Sequence, residues 1–454
     1  MHYDVIIVGG GPAGIFAALE LADKAKVLLI EKGHDLKKRS CPMKTRQIQC
    51  AQCKPCSITC GWGGAGAFSD GKLTLSTEVG GHLDEYVGKE KLIGLINEVD
   101  QIYLDFGAPE KLYSVEPKLL EKFKKDATKA DLHLEYSPIR HLGTGRSRDV
   151  LQAMKDYLVA KGVDIKTSLN VKKITTTNQT VTGVITDLGN FYAPNIIVAP
   201  GREGHEWFTE EATDLGLEKQ INPVDIGVRV ELPKVIMEHL TDYLFESKYI
   251  YYSKTFEDKV RTFCMCPGGE VVAENNSGLV TVNGHTHANK TTENTNFAIL
   301  VSKTFTEPFK DPTRYGQYIS TLANLLGGGV IVQRLGDLLD GRRSTQDRIK
   351  KGLTRQTLVK ATPGDLSLVF PYRHLVDILE MLEALDKVAP GIYSRNTLLY
   401  GAEVKFYSSR VKVSPNLETA IKGLYAIGDG AGITRGLMQA SCSGVIASRD
   451  ILAK

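Results

Sequence analysis

Two groups of residues in this chain have the types and spacing to do chemistry. The first is Gly9, Gly11 and Gly14, which fit G-x-G-x-x-G directly after the apolar run Val5 to Val8; a second apolar run, Val27 to Ile30, ends on Glu31. In such a turn the first glycine permits the tight bend, the second lets backbone approach a pyrophosphate, and the third lets helix and strand pack closely. The helix that starts at Pro12 and Ala13 aims its free N–H groups and positive dipole end at the phosphates. Pro12 sits in the first turn, where a missing N–H costs little. Glu31 is placed to accept hydrogen bonds from the adenosine ribose hydroxyls. Strand, glycines, helix, second strand and terminal acid in this order form a dinucleotide-binding unit. A fingerprint that begins at residue 3 and closes on an acid is the usual place for FAD.

The second group is Cys41, Cys50, Cys53, Cys56 and Cys60, whose core spacing is C-x2-C-x2-C-x3-C. That spacing matches the run that holds a [4Fe–4S] cluster in bacterial ferredoxins. Cys41 or Cys60 supplies the fourth ligand beside Cys50, Cys53 and Cys56. Three chemistries compete for this loop. A cluster would relay single electrons to a flavin. A zinc ion would brace the loop, although zinc favours two separated C-x-x-C knuckles. The third is thiols, reduced or redox-active, beside the positive charges of Lys44, Arg46 and Lys54.

Immediately downstream, Gly61-Trp-Gly-Gly-Ala-Gly-Ala-Phe-Ser69-Asp-Gly-Lys72 concentrates small residues where backbone presses against a planar ligand. Gly64, Gly66 and Ser69 are its expected contacts. Lys72 places positive charge near the flavin N5 or N1 edge, or near an anionic substrate.

Far along the chain, Leu424-Tyr-Ala-Ile-Gly428-Asp429-Gly-Ala-Gly432 resembles the second FAD motif of the glutathione-reductase-like flavoproteins. By that resemblance the Asp429 carboxylate bonds a ribityl hydroxyl, while Gly428 and Gly432 let the chain pass the phosphate. Asn195-Ile-Ile-Val-Ala199-Pro-Gly201-Arg202 resembles the passage that closes the same sheet in those proteins. The same resemblance places the backbone of Val171 at the adenine edge and Lys32 beside Glu31 in the cradle. The run from Thr434 to Ser448 reads as a helix whose N-terminus faces the flavin C2=O and N1, where reduction builds negative charge. Cys442 on this helix reads as a packing residue.

The chain also resembles a bacterial family of FAD-dependent dehydrogenases without an assigned substrate, a branch of these two-motif flavoproteins. The carrying segments are Gly63 to Lys72, His141-Leu-Gly-Thr144, Asp225-Ile-Gly-Val-Arg229-Val-Glu231, Phe263-Cys-Met-Cys-Pro-Gly-Gly269 and Gly428 to Ser441. The resemblance implies FAD and redox chemistry. It names no substrate, and the cysteine loop lies outside it.

A length of 454 residues exceeds one ordinary core and predicts two domains. The expected fold class is α/β: a Rossmann-like FAD-binding domain with an inserted α+β substrate or cap domain. The FAD domain is expected to be discontinuous, over 1–80, 145–205 and 395–454, with the cap over 81–144 and 206–394. Strands are predicted at Val163 to Thr167, Val171 to Ile174, Val228 to Leu232, Arg261 to Cys266 and Val280 to Val282. Helices are predicted at Val150 to Ala160, Tyr318 to Leu326 and Leu375 to Val388. No second strand–GxGxxG–helix unit follows the first, which argues against a separate nicotinamide domain. Electrons would then arrive from NAD(P)H visiting the flavin face or from a protein donor.

Candidate catalytic residues are Lys72, Arg229, Cys264, Cys266 and Arg435, with His141, His285, Arg342, Arg343 and Arg373 in the substrate shell. Alternation along a strand puts Cys264 and Cys266 on one face, as it does His285 and His287. Apolar content of 42%, charged content of 24% and a net charge of +3 describe a globular enzyme with no pull toward nucleic acid or anionic lipid. No apolar run reaches the roughly 18 residues of a membrane span, and the fingerprint at residue 3 leaves no room for a leader, so a cytoplasmic location is expected. The leading expectation is an FAD-dependent oxidoreductase acting on a small organic molecule. A flavin-dependent RNA-modifying enzyme and an electron-transfer flavoprotein module are the alternatives.

Overall fold

The computed structural model describes residues 1–46, 53–69, 71–143, 145–220, 222–276, 278–286, 291–305, 309, 311–405 and 410–454. Contacts divide the chain into two compact units: Met1–Leu112, Ile139–Asn222 and Ser408–Lys454 form the first, Tyr113–Pro138 and Pro223–Tyr407 the second.

The first unit is built on a five-stranded, wholly parallel sheet. Its strand order is Leu424–Ala426, Asn195–Val198, Val5–Val8, Val27–Glu31, Asp164–Thr167. Both early strands are buried along their whole length, which is why they read as continuous apolar runs rather than alternating ones. The helix Pro12–Leu21 leaves the first strand through the glycine turn. It packs against the C-terminal helix Leu437–Ala453. A Cβ on Gly444 would lie 2.2 Å from the Ala13 carbonyl oxygen, and Ser448 Oγ donates to the Ala17 carbonyl at 3.1 Å. Small residues therefore let two helices from opposite ends of the sequence touch backbone to backbone. An antiparallel meander, Val171–Thr177, Thr180–Thr186 and Gly189–Tyr192, also belongs to the unit.

The second unit is an eight-stranded mixed sheet in the order Thr362–Pro363, Ile331–Arg334, Leu398–Lys405, Val224–Pro233, Asn294–Lys303, Lys259–Cys266, Lys248–Tyr252, Leu132–Glu135. Its strand Val224–Pro233 shows the governing pattern. Val224, Ile226, Val228, Val230 and Leu232 enter the apolar core, where the helices Pro312–Gly327 and Tyr372–Asp386 also pack. Each such side chain contributes about 1.5–3 kcal/mol by leaving water. Asp225, Arg229 and Glu231 alternate to the other face and are also buried.

The predicted elements all recur with ends shifted by a few residues: the helix expected from Val150 begins at Arg146, and the one expected from Leu375 spans Tyr372–Asp386. The contact division differs from the expected domain limits in four places, one of them the strand Ile139–His141, which falls in the first unit beside Lys72–Thr74. The helix Lys89–Asp105 belongs with the first unit, where Tyr103 Oη meets Ser441 Oγ at 3.0 Å. Lys219–Gln220 also belongs there and pairs with Arg410–Val411. The strand Leu398–Lys405 is an interior strand of the eight-stranded sheet, not part of the first unit. Loop composition marks where elements end, but long-range pairing decides to which unit each belongs. Among the described residues no helix is long and apolar enough to cross a membrane.

Candidate functional site

The fingerprint turn divides its glycines by space. A Cβ on Gly9, whose φ is +115°, would lie 2.0 Å from the Ala199 carbonyl oxygen, and one on Gly14 would lie 1.9 Å from the Gly9 carbonyl oxygen. Both positions are closed by packing. At Gly11 an added Cβ would meet only the Gly64 Cα, at 4.0 Å, an ordinary contact, so this position is not closed as the other two are. Gly63 N donates to the Gly10 carbonyl at 2.7 Å and brings the small-residue segment Gly64–Phe68 over the start of the Pro12 helix. A side-chain-free glycine backbone at a helix N-terminus suits a pyrophosphate, and on this observation the residues fit FAD.

Glu31, 5% exposed, lies beside this turn. Its Oε2 accepts from Gly10 N at 2.8 Å; its Oε1 accepts from Gly33 N at 2.7 Å, Gly61 N at 3.0 Å and the Cys60 thiol at 3.3 Å. The carboxylate expected at the ribose thus ties three loops together, and Oε2 is the oxygen that carries a single bond. Arg39, absent from the sequence-based set, secures the same loop from the other side. Its guanidinium donates to the carbonyls of Ser57, Ile58 and Trp62 at 2.9, 2.9 and 2.6 Å. Burial pulls its pKa down to about 10 against the opposing pull of Glu31. Trp62, fully buried, donates its indole N–H to the Leu151 carbonyl at 2.8 Å.

Around this centre the other expected cradle residues take ordinary backbone positions. Val171 opens a meander strand and is buried. Lys32 reaches the Glu203 carbonyl at 3.3 Å. Ala199 N donates to the Val8 carbonyl at 2.8 Å, and Gly201 turns with φ +61°. Ser69 Oγ donates to the Gly66 carbonyl at 2.9 Å.

Gly428, with φ +74°, delivers Asp429 to the start of a short 3-10 turn. Asp429 Oδ1 accepts from Thr434 Oγ1 at 2.7 Å, which fixes the carboxylate; Oδ2 stands 3.9 Å from the Arg202 guanidinium. The C-terminal helix begins at Leu437. Ahead of it, Arg435 N donates to the Gly80 carbonyl at 2.7 Å, and Gln439, fully buried, binds the backbone of Thr77, Val79 and Leu83. Lys72 and His141, from separate sequence arguments, are direct antiparallel partners on the strands Lys72–Thr74 and Ile139–His141. Cys442 is buried, and its thiol pKa is pushed up to about 12 by that burial.

The candidates of the second unit are held by protein groups. Arg229 is wholly buried: Nε donates to Asn296 Oδ1 at 2.8 Å, Nη2 to the Cys264 carbonyl at 2.6 Å and to Cys266 Sγ at 3.3 Å, and Nη1 meets Glu403 Oε1 at 3.4 Å. Burial works against its charge, but Glu403 outweighs it and the guanidinium pKa rises further. Cys264 and Cys266 do not follow the simple alternation expected of them. Phe263 pairs with Ala298 and Cys266 with Asn296, so Cys264 and Met265 together stand against Phe297. Cys264 takes φ +47°, the signature of a bulge that re-aims side chains. Arg373 pairs with Asp258 and Arg342 with Asp337, each partly exposed, while Arg343 lies exposed. His285 pairs with Glu270 across a hairpin, and His287 lies outside the described residues.

The cysteine loop does not gather into a metal site among the described residues, where no three His, Cys, Asp or Glu side chains come together. Cys60, offered above as a ligand, is spent on Glu31. Cys41 and Cys56 are half-buried and Cys53 is exposed, while Cys50 lies outside the described residues. The Cys60 thiol pKa is pushed well above the usual range, by burial first and then by the Glu31 charge. Cys60 should therefore stay a thiol, and unreactive, as pH climbs through the ordinary value of about 8.5. In native protein iodoacetamide should label Cys53 and spare Cys60 up to that pH, and label both in guanidinium. Peptide mapping that finds Cys60 labelled as fast as Cys53 in native protein would contradict this bonding.

Comparison with known proteins adds two family matches. Residues 3–90 match the pyridine nucleotide-disulphide oxidoreductase family, and residues 223–406 match the FAD-dependent protein, C-terminal domain-like family. An uncharacterized protein of Clostridium beijerinckii is 28% identical, covering 99% of this chain and 80% of its own. Among solved structures, a 3-ketosteroid-delta4-(5alpha)-dehydrogenase from Rhodococcus jostii RHA1 is 14% identical at a TM-score of 0.45, covering 100% of this chain and 97% of its own. An L-proline dehydrogenase from P. horikoshii is 11% identical at 0.42, covering 98% and 92%. Likeness at that level carries no argument about substrate.

Proposed function

We propose that this chain, an FAD-dependent oxidoreductase by its two family matches, passes hydride between FAD and a small organic substrate and holds the cofactor in its first unit. Our assignment puts the pyrophosphate at the Gly11 turn ahead of the Pro12 helix, the ribityl chain on Asp429 and the adenosine ribose at Glu31 Oε2. FAD, when bound, supplies the two-electron chemistry. The chain's own residues bind and orient it: the Pro12 helix faces the phosphates, the Glu31 tie holds the surrounding loops, and Lys72 with Arg435 brings positive charge toward the reacting end. The observation that carries this reading is the contrast at the fingerprint, where Gly9 and Gly14 are closed by packing and Gly11 is not.

A finer placement among the glutathione-reductase-like flavoproteins is supported by the paired motifs at the two ends of the chain, both on one parallel sheet. Because the sequence carries a single dinucleotide unit, electrons reach the flavin either from NAD(P)H visiting its face or from a protein donor. The described cysteines do not fit a [4Fe–4S] cluster, and no step is routed through one.

The ribityl assignment has a direct test. Asp429→Ala should lower retained FAD at least tenfold, about 1.4 kcal/mol, since a charge-assisted hydrogen bond is worth roughly 1.5–3 kcal/mol. The flavin absorbance of purified, folded variant reads this out, and a variant that keeps stoichiometric flavin contradicts the assignment. Anaerobic mixing with NADH, NADPH and reduced ferredoxin then distinguishes the donors by which one bleaches the flavin band.

A further inference from the structure

One histidine outside every candidate set is built like a proton-transfer group. His82 lies on the loop that runs under the C-terminal motif. Its N–H donates to the Ile433 carbonyl at 2.9 Å, and two residues back the Gly80 carbonyl accepts from Arg435 N at 2.7 Å. A Cβ on Gly81 would lie 2.6 Å from Gln439 Oε1 and 2.7 Å from the Thr434 Cα, so this loop is pressed against the segment that follows Asp429.

The imidazole is oriented by a chain of charges. His82 Nδ1 lies 2.9 Å from Glu85 Oε1; Glu85 Oε2 accepts from Arg410 Nη1 at 2.8 Å; and Arg410 Nε and Nη2 donate to Gln220 Oε1 at 3.2 and 3.0 Å. The Arg410 guanidinium also sits over the Tyr86 ring, 5.7 Å from its centroid. Burial favours protonated Glu85, but the bond and charge of Arg410 outweigh it and its pKa falls. Glu85 is therefore ionised and can only accept, so Nδ1 must carry the hydrogen of that bond. In the neutral ring the lone pair is then on Nε2. Nε2 is buried and has no hydrogen-bond partner among the described residues. Burial, and next the Arg435 charge, holds the imidazole pKa below its ordinary value, opposed by Glu85. The charged and titratable groups around the ring are thus Glu85 on its own helix, Arg410 on the neighbouring strand and Arg435 ahead of the C-terminal helix. Neutral, oriented and carrying a buried lone pair, the ring is a base awaiting a proton.

We propose that His82 is the residue that takes up, or returns, the proton accompanying each hydride, with Glu85 and Arg410 as positioning residues. The proposal rests on the FAD oxidoreductase reading. When a substrate H–C–X–H is oxidised, the C–H pair leaves as hydride to FAD, the X–H bond breaks, its electrons form C=X, and the proton goes to Nε2. Reduction of an acceptor runs the same transfers backward.

The end state of that half-reaction, two electrons on the cofactor and a proton on His82, is reachable without substrate. The test is a potentiometric titration of holoprotein across neutral pH, wild type against His82→Gln, after FAD content is confirmed by spectrum. The wild-type potential should fall with pH more steeply by one proton per two electrons. That is a tenfold change in the reduction equilibrium per pH unit, about 30 mV. A histidine NMR titration of wild-type holoprotein, oxidised and then reduced, reads the same proton without any variant: the His82 ring should be neutral when oxidised and protonated when reduced. Glu85→Gln should keep FAD and displace that titration. Equal slopes, or a His82 ring that keeps its protonation state on reduction, overturn the proposal and leave the cofactor reading intact. Protein without FAD overturns both.

Discussion

Replacing Glu31 with Ala should lower the melting temperature of the protein by roughly 6–12 °C and strip it of cofactor. The carboxylate accepts from the N–H groups of Gly10, Gly33 and Gly61 and from the Cys60 thiol in a pocket where the side chain is 5% exposed. Each buried donor left without an acceptor costs about 1–3 kcal/mol. Three amides at the low end of that range give about 3 kcal/mol, and a domain of this size loses roughly 2–4 °C for each kcal/mol. The cofactor loss has the same origin. Gly10 lies in the phosphate turn and Gly61 opens the small-residue segment, so releasing both loosens the turn that is to hold the phosphates. Cys60→Ala removes one weak donor and leaves the acceptor satisfied, so its cost should stay below about 1 kcal/mol. Thermal melts and flavin content of the two variants side by side measure this. Equal melting temperatures would mean that Glu31 does not hold the loops.

Arg229→Met should destabilise the second unit by about 3 kcal/mol without needing any cofactor to show it. The guanidinium lies in a closed polar layer with Asn296, Glu403 and the Cys264–Cys266 bulge. A Cβ on Gly284 would lie 1.9 Å from Nη2, so a hairpin closes over it. Removing one partner of a buried pair leaves the other charge stranded, at about 3–5 kcal/mol. The lower end is expected because Lys405 stays 2.9 Å from the Glu403 carboxylate. The double variant Arg229→Met, Glu403→Met should recover part of the loss, since the buried guanidinium–carboxylate pair is then removed whole while Lys405 loses its carboxylate. Denaturant midpoints of the singles and the double form a mutant cycle. A single variant as stable as wild type would mean that the pair contributes nothing to the fold.

What could be read in the sequence follows from the range of the interactions. The fingerprint glycines were legible because their demands are local: a turn, a close helix, an open face. The alternation of Val224 to Leu232 likewise announced an apolar face and a polar one. It could not announce that the polar face is buried too, because Arg229 is covered by a hairpin reached only through the fold. Glu31 was recognised as the end of the second strand. Its bonds to Gly61 and Cys60 depend on how the cysteine loop returns, which spacing does not encode. The expected common face of Cys264 and Cys266 failed because a bulge adds one residue to the count. His82 carried no chemical signal: the Arg410 that fixes its carboxylate partner lies 325 residues from Glu85. The pattern Gly80-Gly81-His82, two small residues beside a histidine, signals only close packing there.

The central claim is that the glycine turn near the start of the chain and Asp429 near its end hold one FAD. The most direct measurement is to denature purified, folded protein, remove the polypeptide and quantify the released cofactor by absorbance and mass. The account predicts one FAD per chain, restored on refolding with added FAD. Folded protein that releases no flavin and takes up none when FAD is supplied would contradict it.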